Sequence, residues 1–304
     1  MQKSVCRSVR TTGKHLRFYA ILPVLMMLVL SACGSSAPTA ESTPEERYRH
    51  AVSLLEKKNH DAAVLALEPM MFSTRATALE DQVLFSLATA YYESEQYLLA
   101  SEIYRRLLQQ TPGSRFARDA QMQLAKSFEQ LSPAYDLDQE YTVKAINEFQ
   151  LYLDLYPSPN TTQLAADVEM YSELLKLKPD NAEYRTKYER AKADLDSRLA
   201  PGKYCTNAIA QLREKLARNR YSIAQQYAQM KKYRAASMYY DLLIRYFPDT
   251  VYQEKAWRGK IDVAVQRKKW FEARQTIEQY LQKFPEQREA IDGIYKKVLA
   301  NFEN

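Results

Sequence analysis

The sequence predicts an all-α fold built as an array of helix pairs, and three observations predict it. The chain has 304 residues with only six glycines, 46% hydrophobic and 26% charged residues, the balance of a folded protein rich in helix formers. From Thr43 onward apolar residues recur at three and four positions, with no sustained alternation of the kind strands need. Two alanines 12 positions apart recur, Ala88 with Ala100 and Ala224 with Ala236, and each pair is followed by an exit proline, Pro112 and Pro248. The glycines (13, 34, 113, 202, 259 and 293) never fall within five positions of one another, so no loop can wrap backbone amides around a phosphate. That excludes P-loop and dinucleotide-binding enzymes.

Residues 1–32 read as an export signal. Lys3, Arg7, Arg10, Lys14 and Arg17 precede the apolar run from Phe18 to Leu30, with no acid among them. That run of 13 residues, interrupted by Pro23, falls short of the roughly 20 needed to cross a bilayer. Leu30-Ser31-Ala32-Cys33 resembles the bacterial lipobox. The resemblance implies that Cys33 is acylated, that residues 1–32 are removed, and that the lipid anchor holds the chain on a membrane. Gly34 and Ser35 lack the acidic residue that retains some lipoproteins in the inner membrane, so the outer membrane, facing the periplasm, is the expected location. Cys6 leaves with the signal, and Cys205 remains as a lone thiol with no histidine nearby in sequence. It reads as a small buried apolar residue, and no intramolecular disulfide is expected.

Residues 33–43 are small and polar and read as a flexible tether. Thr43-Pro44-Glu45-Glu46 is a capping box with proline at the first helical position. Helix pairs 1–3 are placed in 44–159. In the clearest, Leu84, Leu87, Ala88 and Tyr91 line one helix, Ala100, Tyr104 and Leu107 line the next, and Pro112-Gly113 ends it. These positions match the tetratricopeptide pattern. Ala88 and Ala100 let two antiparallel helices approach closely, large residues fill between them, and proline stops the second helix. The register returns at Ala51, Leu54, Ala63 and Leu67, and at Leu124, Ala125 and Phe128 with Ala145, Phe149 and Pro157. In this third pair Leu131 to Asp138 lengthens the turn, and the small-residue spacing is 20.

In 160–202 the register is lost. Thr162–Leu177 and Asn181–Leu199 read as two helices of an insertion, a degenerate hairpin or a projection, closed by Pro201-Gly202. Pairs 4 and 5 are placed in 203–304, at Ala224, Tyr227, Ala236, Tyr240, Leu243 and Pro248, then at Trp257, Ile261, Ala273, Ile277 and Pro285. An aromatic precedes the exit proline at Tyr156, Phe247 and Phe284, and Ser114 and Thr250 are suited to cap the helices that follow their prolines. No single pair can bury its apolar face, so a superhelical array of about five pairs with a concave groove is expected.

The lipobox, the tether, five such repeats, the Gln139-containing third loop and the segment Leu212-Arg213-Glu214-Lys215-Leu216-Ala217 together resemble the BamD (ComL) lipoproteins of the outer-membrane β-barrel assembly machinery. The resemblance covers Glu45–Pro159 and Lys203–Phe284 and departs at Asn160–Gly202. It implies a periplasm-facing scaffold that binds the barrel subunit of the machinery, other lipoproteins of the complex and segments of unfolded outer-membrane proteins. The usual inward positions of the repeat give Tyr48, Val52, Phe85, Thr89, Tyr92, Met122 and Lys126 as groove candidates. Such an aromatic and apolar groove would suit the aromatic-ended terminal strand of an unfolded barrel protein.

Charge adds a division between the two parts. Residues 33–200 carry 18 basic and 26 acidic side chains, a net of −8, while residues 201–304 carry 20 and 11, a net of +9. Such a dipolar chain could orient a docking partner, although the basic pairs also read as solvated faces. No nucleic-acid motif is present and no nucleic-acid partner is expected. His15, His50 and His60 have no metal-ligand spacing, and no metal, cofactor or catalytic residue is assigned. An enzyme of the cell wall is the alternative from another class. A pilus-assembly pilotin or an adaptor for cell-wall hydrolases is the alternative among binding proteins.

Overall fold

A computed structural model describes residues 42–301; the export signal, Cys33 and most of the tether lie outside the described residues. Contacts divide the chain into a unit of residues 1–50 and a unit of residues 51–304. Among the described residues the regular structure is helical: α1 (Pro44–Glu56), α2 (His60–Ser73), α3 (Glu80–Glu93), α4 (Tyr97–Gln110), α5 (Ala117–Leu131), α6 (Glu140–Leu155), α7 (Thr162–Leu177), α8 (Ala182–Gln229), α9 (Tyr233–Tyr246), α10 (Tyr252–Gln266), α11 (Trp270–Lys283) and α12 (Arg288–Leu299). None of these helices is long and apolar enough to cross a membrane.

In the first unit the capping box forms as the sequence reads. The Thr43 N–H donates to Glu46 Oε2 at 2.9 Å and the Glu46 N–H to Thr43 Oγ1 at 3.2 Å, satisfying two donors that a helix start leaves open.

The second unit is an all-α array of tetratricopeptide type. From α2 to α6 each helix packs on the next, α6 hands over to α8, and the chain of contacts runs on to α12. The small residues of the repeat decide how closely partners approach: Ala63, Ala88, Ala100, Ala125, Ala145, Ala224, Ala236 and Ala273 are all 0% exposed, leaving room for none but a methyl group at each crossing. Tyr104, Phe128, Phe149 and Tyr280 fill the layers between them and are fully buried.

Two backbone devices repeat with the helices. The turn inside a pair passes through one left-handed residue, Lys58 (φ 57°), Glu95 (φ 60°), Lys231 (φ 56°) or Lys268 (φ 55°). Around each of these the helix end closes alike, as where the Glu95 N–H donates to the Tyr92 carbonyl and the Gln96 N–H to the Tyr91 carbonyl. This closure commonly places glycine at that position, and here charged side chains hold it instead. The second device is the exit. Thr111, Tyr156, Phe247 and Phe284, each directly before a proline, end their helices outside the α region, at φ −127° to −131° and ψ 50° to 68°, consistent with the bar a following proline places on helical backbone.

Two expectations need correction. Pro201-Gly202 does not close the insertion, because α8 runs unbroken for 48 residues through both. Proline removes the hydrogen bond to the carbonyl of Ser197, but Ser197 is exposed, so water can replace the lost donor. Gly202 lies where a Cβ would come within 3.1 Å of Ser158 Oγ, in the segment after α6. Second, neither Ser114 nor Thr250 is the N-cap of the helix that follows. The Thr250 hydroxyl donates to the Phe247 carbonyl at 3.0 Å; the Ser114 hydroxyl donates to Asp81 Oδ2 at 2.7 Å and accepts from the Phe116 N–H at 3.1 Å, just before the helix, while the N-caps themselves are Phe116 and Val251 without side-chain bonds. After pair 5 a further helix, α12, lays Ile291 and Val298 against Trp257, Ile261 and Ile277, covering an apolar face that the end of a stacked array would expose.

The insertion is a helical hairpin. α7 packs on α8 and has no buried residue, and α8 carries it as a continuous extension of the first helix of pair 4.

Residues 213–219 of α8 tie pairs 3 and 4 together. Arg213 binds Asp249 through two nitrogens, at 2.7 and 2.5 Å, and donates to the Tyr246 carbonyl at 2.8 Å. Lys215 Nζ reaches Ser132 Oγ at 2.8 Å, Asn219 donates to the Tyr135 carbonyl at 2.8 Å, and the Arg218 guanidinium lies 3.8 Å above the Tyr135 ring. The long third loop, folded on itself by Gln139 bonds to the carbonyls of Ala134 and Leu137, is thereby fastened to α8.

Candidate binding groove

The repeat register decides what the first helix of each pair presents. Counted from the small or branched residue at its crossing (Ala51, Ala88, Ala125, Ala224 or Ile261), the positions three before and one after share a face. These are Tyr48 and Val52 on α1, Phe85 and Thr89 on α3 with Tyr92 one turn on, and Met122 and Lys126 on α5; all seven are half-buried.

Phe85 stacks on Phe116, with centroids 4.8 Å apart and planes at 15°, and meets the edge of Tyr104 at 5.9 Å. The hydroxyls of Thr89 and Tyr104 lie 3.1 Å apart. Burial holds the Tyr104 phenol well above its usual pKa, and the Thr89 hydrogen bond offsets this only in part. Tyr92 meets Tyr97 edge-on at 5.3 Å. On α5 the candidates face α8: Met122 Sδ is 3.9 Å from Cys205 Sγ, Lys126 Nζ stands 4.6 Å over the Tyr204 ring, and Tyr204 donates to Glu129 Oε2 at 2.6 Å. The seven residues are therefore not one cluster. Phe85, Thr89 and Tyr92 share the α3 face, Met122 and Lys126 sit against α8, Val52 is on α1, and Tyr48 belongs to the unit of residues 1–50.

Cys205 is 0% exposed. Burial pushes its thiol up to about 11, and nearby Lys126 only partly opposes this. The thiol stays protonated near neutrality, the state of a structural cysteine.

The register also runs on to residues that the sequence reading did not single out: Tyr221 and Gln225 on α8, Arg258 and Asp262 on α10. Tyr221 lies 6.1 Å from Tyr240 and 5.4 Å from Tyr252, repeating in pair 4 the group that Phe85 forms with Tyr104 and Phe116 in pair 2. The spacing of Ala224 and Ala236 carried that signal. Beside this second aromatic group is a cavity of about 380 Å³ among α8, α9 and α10, lined by Gln229, Tyr233, Tyr240, Gly259, Asp262 and Gln266 among others. Gly259 is required there by contact: a Cβ would fall 2.3 Å from Tyr240 Cζ.

A second, more apolar cavity of about 440 Å³ opens on the second-helix side, between Val143 of α6, Leu216 of α8 and Met238, Leu242 and Tyr246 of α9, with Arg220 at its edge. No group of three or more histidine, cysteine or acidic side chains is placed to hold a metal ion among the described residues.

No protein-family model matches the chain, and no curated protein matches it. Among solved structures, it is similar to a tetratricopeptide-repeat protein of Thermus thermophilus (18% identity over 74% of this chain and 96% of that one, TM-score 0.33). It is similar also to a tetratricopeptide-repeat protein of Parabacteroides merdae (14% identity over 84% and 98%, TM-score 0.32). A third is the TPR2AB domain of yeast Sti1 in its pHSP90 complex (15% identity over 84% and 98%, TM-score 0.30).

Proposed function

We propose that this chain is a non-catalytic scaffold that binds polypeptide partners, and that it serves as a lipid-anchored outer-membrane component of the β-barrel assembly machinery. One observation carries the first part: the repeat sets aromatic groups in one register on the first helices of pairs 2 and 4, around Phe85 and around Tyr221. Stacked helix pairs present such faces to extended segments and partner domains. The second part is supported by the lipobox at Cys33 and by the two more discriminating parts of the resemblance, the Gln139-containing loop and Leu212–Ala217, whose Lys215 reaches Ser132 in that loop. The barrel subunit, companion lipoproteins and unfolded barrel segments are then the partners.

Capture of partners by the full chain from detergent-solubilised outer membranes tests this. Recovery of a large β-barrel protein with periplasmic domains supports assembly, recovery of a pilus secretin points to a pilotin, and recovery of wall hydrolases to an adaptor. In parallel, changing Phe85 and Tyr92 to Ser is expected to weaken binding of a peptide ending in an aromatic barrel strand. Because Phe85 also stacks on Phe116, helicity is read alongside, and unchanged affinity in a folded variant would overturn the groove assignment.

A further inference from the structure

The cavity among α8, α9 and α10 combines a carboxylate and a phenol hydroxyl that opens into it, neither of them bonded to another described side chain. Asp262 makes no hydrogen bond or ion pair among the described residues. The arginine one turn before it does not reach back: Arg258 is held by Glu254, by Tyr280 at 3.1 Å and by Gln287 at 2.7 Å. Lys260 is turned to Asp241 at 2.7 Å. The carboxylate lies near two phenols, since its charge helps raise the pKa of both Tyr221 and Tyr240, after burial. The side chain of Asp262 is open at the mouth of the cavity, yet the surrounding helices withhold enough water to raise its carboxyl pKa, which Arg258 only partly opposes.

Tyr240 is the second observation. It is 4% exposed, and its ring lines the cavity. In pair 2 the residue of the same register, Tyr104, has its hydroxyl matched by Thr89 at 3.1 Å. In pair 4 the residue in Thr89's register is Gln225, whose amide donates to Tyr221 instead, at 3.2 Å. The Tyr240 hydroxyl is left with no hydrogen-bond partner among the described residues. The ring is buried, but the hydroxyl itself is open to the cavity, where solvent or a ligand can meet it. Gly259 lets the Tyr240 ring pack directly on the α10 backbone, and Gln229 and Gln266 also line the cavity. At about 380 Å³ the cavity falls at the small end of ligand-binding pockets.

We propose that this cavity receives one cationic side chain, arginine or lysine, from a polypeptide segment lying along the first-helix face. The Asp262 carboxylate accepts from the cation, the glutamine carbonyl oxygens and the Tyr240 hydroxyl accept its remaining donors, and the faces of Tyr233 and Tyr240 flank its aliphatic stem. The site is a local acidic recess in the part of the chain whose net charge is +9. It therefore selects a single positive residue within a segment that the surrounding surface otherwise draws in by acidic ones. In the register of the repeat Asp262 of pair 5 stands where pair 3 has Lys126 and pair 4 has Gln225, so the charge read at this position changes sign along the array.

The inference rests on the reading of the chain as a binder of polypeptides, but its test does not need the partner. The full chain in detergent is titrated with doubly blocked arginine, lysine and citrulline, and the methyl resonances of Ala228 and Val263, which line the cavity, are followed. Saturable shifts with arginine and lysine, absent with citrulline, are expected. Asp262→Asn is expected to weaken binding roughly tenfold or more at unchanged helicity, the loss of one charge-assisted hydrogen bond. Equal shifts with citrulline, or arginine binding that leaves both methyls or the Asp262→Asn variant unaffected, would overturn the assignment. If it fails while partner capture succeeds, the cavity reading is wrong and the scaffold reading stands; the opposite result separates them the other way.

Discussion

Single residues in this protein are fixed by what lies opposite them. Gly259 is the sharpest case. Nothing in its sequence surroundings distinguishes it, and a glycine inside a helix costs about 0.5–1 kcal/mol relative to alanine. The Tyr240 ring, 2.3 Å from the place of a Cβ, reverses that preference. Gly259→Ala is expected to lower stability by about 1–3 kcal/mol through overpacking, measured by chemical denaturation. Combining it with Tyr240→Leu should give less than the sum of the single losses, since both act on one contact. Cys205 could be read from sequence only by elimination, as a lone thiol far from histidine. The structure supplies the reason it is quiet, full burial beside Met122. The groove candidates show the opposite limit. The register found Phe85 and Thr89, but which of their atoms face other helices was illegible, because Phe116 and Tyr104 come from neighbouring helices.

At the scale of the element, the repeat is as much a pattern of turns as of helices. Four turns place a lysine or glutamate at φ of 55° to 60°, where a side chain costs about 1–2 kcal/mol relative to the right-handed region and glycine costs nothing. Lys231→Gly should therefore raise stability by about 0.5–1 kcal/mol, part of the gain being lost to the freer unfolded chain. Thermal unfolding monitored by circular dichroism reads this, and a lowered melting temperature would show that the lysine side chain contributes more than its strained backbone costs. The turn at Lys58, Glu95, Lys231 and Lys268 was hidden in the sequence because no glycine marks it. The proline exits were plain, since proline restricts the residue before it wherever it occurs. Pro201 misled for a related reason. Proline usually ends a helix, yet here the interrupted turn is exposed and helical segments on both sides continue one axis, so one lost hydrogen bond did not outweigh them.

Across the whole molecule, buried phenols and one buried thiol set a limit at high pH. Burial raises Cys205 from about 9 to about 11 and Tyr240 from about 10 to about 12, and burial with a Glu68 hydrogen bond raises Tyr91 likewise to about 12. Each is neutral when protonated and holds its proton more tightly folded than unfolded. The stability this contributes is complete below the unfolded values and is lost as pH rises through the folded ones. Melting temperature should be level from neutrality to about pH 9 and then fall steadily toward pH 12. Cys205→Ala should make the fall between about pH 9 and 11 shallower. An undiminished melting temperature at pH 11 would mean that these groups are not buried in solution.

The sequence by itself determined the class and the period. Apolar residues at three and four positions demand helices, and alanines 12 apart followed by proline demand close pairs that must stack, because each pair leaves an apolar face uncovered. It also determined the charge division, −8 before residue 201 and +9 after it. What only the tertiary structure decided is where the pattern is broken to effect. That includes the unbroken α8 through Pro201, the covering helix α12, the fastening of the third loop by Lys215, Arg218 and Asn219, and the open recess at Asp262. These depend on residues tens of positions apart meeting in space. Local sequence fixes a helix through contacts within a turn, whereas a cavity or a clash exists only once separate helices have been brought together.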